Sequence, residues 1–119
     1  MVDGLLEVST HYGGRLPELL AGIDRSRLGV PAIYPTSCMP QAWAAATPLL
    51  LLRALLRLDP QAPHSEIWAA PILRHDEEIH LQGVPFAGAR LDIDAIGTDI
   101  EVRGIPAGIS LHRRPRSPV

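Results

Sequence analysis

The sequence predicts an α+β fold, with helices in the first half of the chain and strands in the second. Residues 2–12 and 41–58 carry apolar side chains at helical spacing. After a proline-rich break at residues 59–63, apolar and polar residues alternate, as they do in half-buried antiparallel strands. With 119 residues, 46% of them hydrophobic, the chain is long enough to bury a core of its own.

The first predicted helix covers residues 2–12 and ends at Gly13 and Gly14, because glycine commonly terminates helices. Prolines and glycines interrupt residues 15–39, which therefore predict a loop. This loop is rich in leucine and isoleucine, so it is too apolar for a disordered segment. Loops of this length within compact domains are usually functional, and we expect a packed functional loop.

The second predicted helix has Pro40 at its first helical position and continues over residues 41–58. Alanine, leucine and arginine dominate this segment, and all three are strong helix formers. Its apolar side chains, among them Trp43, Leu50 and Leu55, cover nearly the whole circumference. We therefore expect a helix buried among other helices, although a chain of this length supplies few helical partners.

The second half of the chain predicts five short strands, at residues 66–68, 78–82, 89–94, 99–103 and 108–112. Glycines between the runs indicate turns, at Gly83, Gly88, Gly97 and Gly104. The period of two predicts that residues 79–111 form one antiparallel sheet. Its buried face should consist of Ile79, Leu81, Leu91, Ile93, Ile100 and Val102.

These patterns divide the chain into a helical unit at residues 1–60, a linker at residues 61–64 and a strand unit at residues 65–119. The strand unit ends in a short basic tail, which we expect to be solvated: Arg113, Arg114 and Arg116.

Composition excludes several classes of protein and site. Eleven basic against 13 acidic residues give a net charge of −2, which argues against a nucleic-acid binder. The single Cys38 cannot form an intrachain disulfide, and the five histidines lack metal-site spacing, so neither a metal nor a cofactor is expected. Arg53 and Arg57 interrupt the most apolar stretch, which falls short of a membrane span. Because the first residues lack the pattern of a secretory signal, we expect a cytoplasmic protein.

Four residues are candidates for chemistry. Glu18 lies in the apolar part of the long loop, an environment that suits a carboxylate to proton transfer. The alternative is a solvated or arginine-paired glutamate. Tyr34, Gln41 and Trp43 would form a sugar-binding wall of aromatic faces and an amide, although a tryptophan at the start of an apolar helix is also a common core residue.

Two segments together resemble a known enzyme family. They are residues 15–22, Arg-Leu-Pro-Glu-Leu-Leu-Ala-Gly, and residues 34–46, which run from Tyr-Pro-Thr-Ser-Cys-Met-Pro-Gln-Ala-Trp into the leucine-rich helix. The combination resembles the C-terminal end of the amylo-α-1,6-glucosidase family. The members of this family are glycogen debranching enzyme-like glycoside hydrolases with a six-hairpin fold. Related patterns occur in mannosylglycerate hydrolase-like enzymes. The resemblance covers residues 4–60 and extends more loosely to residue 102.

The resemblance implies a fold and a reaction. The family fold is an (α/α)6 toroid with a central sugar pocket, and this chain would supply the last helical hairpin followed by a small antiparallel β segment. Glu18 would be the catalytic base of an inverting hydrolase that acts on α-linked glucans. The general acid comes from far earlier in such enzymes, so this chain would be a C-terminal portion that is inactive when isolated. Its partners would be an α-glucan and the missing N-terminal helices, present as a second chain.

The sequence departs from the family pattern at two positions. Met39 stands where the family has a serine before the proline, and Leu20 stands where an aromatic residue is usual. The second change removes one possible sugar contact. The alternatives are a non-catalytic carbohydrate-binding or interaction module retained from that fold, and a structural domain with fortuitous similarity.

Overall fold

The computed structural model describes residues 2–117 and divides the chain into two compact units between Leu51 and Leu52. Within the described residues there are three α-helices and two three-stranded sheets. The predicted α+β class is therefore confirmed.

The first unit begins with helix α1, Val2–His11. Gly13 and Gly14 both adopt left-handed backbone angles, with φ of 63° and 84°. The Gly14 amide donates to the Ser9 carbonyl at 2.8 Å, and this bond satisfies a carbonyl group that the helix end leaves open. The predicted glycine ending of this helix is confirmed.

The long loop is packed and contains a short helix, α2, Arg25–Leu28. The Asp24 carboxylate caps α2 by accepting from the Ser26 amide at 2.7 Å. Two distant stretches of the loop meet at an isolated antiparallel bridge between Leu20 and Ile33. The Tyr12 hydroxyl donates to the Pro31 carbonyl and ties the loop to the end of α1.

Helix α3, Ala42–Leu56, starts later than the sequence predicts, and part of its apolar surface is exposed. Pro40 follows a cis peptide bond and lies before the helix, whereas Pro48 lies within it. The side chains of Trp43, Leu49 and Leu50 are 63%, 65% and 60% exposed. The described residues do not cover these positions, in agreement with the expectation that this chain supplies few helical partners for α3.

The second unit contains two sheets. Strand β1, Asp59–Gln61, pairs antiparallel with β2, Glu66–Trp68, and a 3₁₀ helix at Ala62–His64 connects them. Thus the predicted linker is occupied by the end of β1 and this 3₁₀ helix. The larger sheet is an antiparallel meander of β3, Glu78–Phe86, β4, Ala89–Ile96, and β5, Asp99–Arg103.

The last strand, β6, Ser110–His112, leaves the meander and pairs parallel with β2. The prediction that residues 79–111 form one antiparallel sheet is therefore wrong at its end. Alternation identifies the strand but carries no information about its partner. A parallel pair needs a long crossover connection, and the meander lies in that connection. Gly83 is likewise not a turn residue, because it lies within β3 at an irregularity in register between Leu81 and Val84.

The core of the second unit follows the predicted alternation. Four residues of the expected face, Leu91, Ile93, Ile100 and Val102, are buried, and Ile79 and Leu81 pack against them half-buried. The cluster also takes in Leu56, Ile67, Ala69, Leu73, Phe86 and Ala95. Its members come from both sheets and from the end of α3, so the two sheets of this unit share one core.

The basic tail is solvent-exposed, as predicted, and its arginines also contact other parts of the second unit. The Arg113 Nε donates to the Ile100 carbonyl at 3.2 Å, and the Arg114 guanidinium lies 5.3 Å from the Trp68 ring centroid. Arg116 pairs with Asp59 at 3.0 Å. Hydrogen bonds from Gln61 and then Arg116 lower the pKa of Asp59. Sequence alone misses these contacts because the three partners lie far away along the chain.

Candidate functional site

Glu18 lies half-buried at the wall of a cavity of about 190 Å³ in the first unit. Apart from Glu18 and Thr47, the lining is apolar: Leu5, Val8, Leu16, Pro17, Leu20, Trp43 and Ala44. These residues belong to α1, to the loop and to the start of α3. Glu18 is the one ionisable residue of this lining, so proton transfer in the cavity would depend on it.

The Glu18 side chain is held by the other end of the loop. Its Oε2 accepts a hydrogen bond from the Cys38 amide at 3.0 Å. In the opposite direction, the Glu18 amide donates to the Cys38 carbonyl at 3.2 Å. This reciprocal pair joins positions that lie 20 residues apart in the chain. A backbone donor is a favourable partner for an ionised carboxylate, because the hydrogen bond is charge-assisted.

Trp43 shares the cavity with Glu18. It lies in the first turn of α3, where its ring is largely exposed while its neighbour Ala44 is buried. An exposed indole and a carboxylate therefore border the same cavity, so it has both an apolar surface and a proton acceptor in its lining. The structure therefore brings together two of the four predicted site residues.

The other two predicted residues lie elsewhere in the first unit. Gln41 lines a second cavity of about 310 Å³, together with Arg15, Pro40 and Pro48. Tyr34 is 48% exposed and lines neither cavity. Its backbone bonds to Leu19 and Ser37, the neighbours of Glu18 and Cys38. Tyr34, Gln41 and Trp43 therefore do not line one cavity in this chain. The sugar-binding wall that they would form together remains a prediction.

Sequence reasoning missed a charged cluster on the open face of the meander. The His80 Nδ1 lies 2.7 Å from the Asp94 carboxylate, and Arg103 pairs with the same carboxylate at 2.5 Å. The hydrogen bond to Asp94 raises the pKa of His80, and hydrogen bonds from His80 and then Arg103 lower the pKa of Asp94. Alternation places these residues on the polar face, but only the register of β3 with β4 makes His80 and Asp94 partners.

An aromatic pair in the smaller sheet was also missed. Trp68 and His112 lie opposite each other on β2 and β6, with ring centroids 4.0 Å apart and ring planes inclined by 20°. The Trp68 Nε1 donates to the Glu66 carboxylate at 3.0 Å. Because Trp68 and His112 are separated by more than forty positions, only knowledge of the parallel pairing would have revealed the stack.

Among residues 2–117, no three His, Cys, Asp or Glu side chains are grouped as metal ligands would be. No helix in the same range has both the length and the apolar character needed to span a membrane.

The first unit therefore offers one proton acceptor beside an aromatic surface, in a cavity bordered by uncovered apolar side chains. Comparison of the chain with protein-family models, curated proteins and solved structures found no match.

Proposed function

We propose that the helical unit at residues 1–60 forms the C-terminal end of the catalytic domain of an amylo-α-1,6-glucosidase-like glycoside hydrolase that acts on α-linked glucans. The observation that carries the proposal is the pairing of Glu18 with Trp43 at one cavity. These residues belong to the two segments in which the sequence resembles that family. In this proposal α1 and α3 are helices of an (α/α)6 toroid, and the strands of the second unit follow the toroid.

The exposure of apolar side chains supports a domain that other helices complete. Only three hydrophobic residues in the described part of the first unit are buried: Val8, Leu16 and Ala44. Eleven large hydrophobic side chains of the same part are exposed, among them Trp43, Leu49 and Leu50. A toroid surrounds each of its helices with neighbours, so helices from elsewhere in the enzyme would cover these side chains.

The proposed chemistry needs two carboxyl groups, of which this unit supplies one. A general acid on the completing helices would protonate the glycosidic oxygen as its bond to the anomeric carbon breaks. Glu18 would accept a proton from the water whose oxygen attacks that carbon from the opposite face. Inverting enzymes place the two carboxyl groups about 6.5 to 9.5 Å apart to leave room for this water. One carboxylate cannot perform both roles in the same step, so the isolated chain should release no glucose.

The test supplies helices that would complete the toroid. The chain would be mixed with, or fused to, the N-terminal helices of a catalytic domain of this family, and glucose release from an α-1,6-branched dextrin would be measured. We expect release from the combination and none from the 119-residue chain alone. Glu18→Gln should abolish release while dextrin binding persists, because the amide is nearly isosteric but cannot take the proton.

Asp24→Asn is the matched control, since Asp24 is also a loop carboxylate but caps α2 and does not line the cavity. It should leave glucose release unchanged. Release that is equal with Glu18→Gln would contradict the assignment of the base. Binding of dextrin without any hydrolysis by the wild-type combination would favour the non-catalytic carbohydrate-binding module instead.

A further inference from the structure

The segment around Glu18 is fastened to the segment around Cys38 by more than the carboxylate itself. The Leu19 amide donates to the Ser37 Oγ at 3.0 Å. The Tyr34 amide donates to the Leu19 carbonyl at 3.2 Å, and the Glu18 amide donates to the Cys38 carbonyl at the same distance. These bonds arrange the two segments as an irregular antiparallel pair, in which Ser37 contributes the side chain.

Ser37 is suited to this position because its hydroxyl replaces a backbone acceptor. The residue is half-buried, and its own amide donates to the Tyr34 carbonyl at 2.9 Å, which closes a turn over residues 34–37. Its Oγ therefore points from a fixed turn to the amide of the residue after Glu18. Serine hydroxyls commonly fasten loops through bonds to backbone groups in this way.

The two carboxylate oxygens of Glu18 are consequently not equivalent. Oε2 accepts from the Cys38 amide at 3.0 Å. In the part of the chain that the structure describes, this is the one hydrogen bond that the Glu18 carboxylate accepts, which leaves Oε1 without a protein donor. An oxygen already engaged with a backbone donor is the weaker proton acceptor, so the chemistry falls to Oε1.

We infer that Ser37 is a positioning residue that holds the Glu18 carboxylate against the Cys38 amide, so that Oε2 is fixed and Oε1 takes up the proton. The inference rests on the proposed function for the use of that proton, but the positioning itself is a property of this chain alone. Ser37 acts through the loop backbone and does not line the cavity beside Trp43.

The positioning can be measured in the full chain without any activity. The amide proton of Cys38 reports its bond to Glu18, because a charge-assisted hydrogen bond to the carboxylate should move its NMR signal downfield, which is the Cys38 response. Glu18→Gln should abolish this movement. Ser37→Ala should reduce it at least about twofold, and Ser37→Thr should restore it because threonine retains the hydroxyl acceptor.

Two controls separate positioning from unfolding. The amide signals of β4 belong to the core of the second unit and should be unchanged in all three variants. Thr36→Ala changes a neighbouring exposed hydroxyl and should preserve the Cys38 response. A Cys38 response of full size in Ser37→Ala would overturn the role of Ser37, and absence of the response in the wild type would overturn the Oε2 assignment.

The failure of this inference differs from failure of the proposed function. If Glu18 is not the base, the completed enzyme hydrolyses dextrin with Glu18→Gln, whatever the Cys38 amide shows. If Ser37 does not position Glu18, the amide experiment fails while Glu18→Gln still abolishes hydrolysis. If both hold, Ser37→Ala should lower kcat of the completed enzyme with little change in KM, and Ser37→Thr should restore kcat.

Discussion

The first unit, residues 2–51, leaves most of its large apolar side chains exposed, whereas the second unit, residues 52–117, buries or half-buries most of its own. The second unit gathers ten buried residues into one core and leaves two large hydrophobic side chains exposed, Ile72 and Ile96. The first unit buries three hydrophobic residues and exposes eleven large ones. Because both units come from one chain of ordinary composition, the difference lies in the number of elements available to cover each apolar face.

The two units differ in how their apolar side chains are covered by neighbouring elements. Each strand of the meander pairs with a neighbour close in sequence, and the alternating residues meet as soon as the strands pair. Helix α3 is apolar nearly all round, so a single neighbouring loop cannot cover it. The second unit therefore buries its own apolar faces, whereas the first leaves large apolar side chains uncovered.

The largest expected effect comes from the core of the second unit. Ile93 is completely buried among the residues of the meander, so Ile93→Ala should lower the free energy of unfolding by about 2–5 kcal/mol. Urea unfolding followed by Trp68 fluorescence in a Trp43→Phe background would measure it. Leu49→Ala in the first unit should cost less than about 0.5 kcal/mol, because that side chain is exposed. Equal losses for the two variants would remove the contrast between the units.

A second prediction uses two glycines of the second unit with matching backbone angles. Gly104 and Gly108 have φ of 79° and 84°, which disfavours any side chain. A Cβ at Gly104 would also overlap the Arg90 carbonyl oxygen, whereas Gly108 faces open space. Gly108→Ala should cost about 1 kcal/mol, and Gly104→Ala about 2 kcal/mol or more in thermal unfolding. Similar costs at both positions would show that the approach to Arg90 is not tight.

The third prediction concerns self-association rather than stability. The exposed face of α3 should make the isolated chain associate with itself, since uncovered apolar surface of this kind favours contact. Leu50→Glu should shift sedimentation velocity profiles toward the monomer without altering the unfolding of the second unit. Ile96→Glu is the control in the second unit and should change association little. If Ile96→Glu were the variant that abolished association, the apolar surface of the first unit would not be responsible.

The smallest effect is a pH dependence within the second unit. The bond to Asp94 raises the pKa of His80. The stabilisation of the fold by this bond is therefore complete at pH values below the unfolded-state pKa of about 6.5, and it is lost as the pH rises through the folded-state pKa of His80. The pKa of Asp94 is lowered, so the stabilisation that the Asp94 carboxylate contributes is present at neutral pH and is lost as the pH falls through its folded-state pKa.

His80→Gln should therefore flatten the loss of stability above neutral pH, measured by thermal unfolding between pH 6 and about pH 9. The His80 side chain is exposed and the Asp94 side chain is half-buried, so added salt should reduce the effect in the wild type. His75→Gln, at an almost fully exposed histidine, is the control and should leave the profile unchanged.

The sequence predicts local structure well and distant partnerships poorly. The ending of α1 at Gly13 and Gly14, and the core face that contains Leu91 and Ile93, follow from neighbouring residues alone. The parallel pairing of β6 with β2 and the contact of Arg116 with Asp59 do not, because nothing near those residues specifies the partner. Hydrophobicity likewise predicts that α3 needs helical partners to cover it, but it does not say where the covering elements lie.

The same division applies to the candidate site. The apolar surroundings of Glu18 follow from the sequence, and Glu18 and Trp43 line one cavity, while the catalytic role of Glu18 stays a prediction. The reciprocal bonds between Glu18 and Cys38 bridge 20 residues and could not be read from spacing. Gln41 is close to Trp43 in sequence, yet it lines a different cavity, because Pro40 and Gln41 precede the helix rather than lie in it.

Amide hydrogen exchange of the wild-type chain tests the central claim most directly, since it measures the two units in the same sample. We predict that amides of β4, Ala89–Ile96, exchange at least about a hundredfold more slowly than those of residues 46–51 in α3, a difference of ~2.7 kcal/mol in opening free energy. Comparable protection in the two segments would contradict the account, because it would mean that the first unit is as stable without further helices as the second.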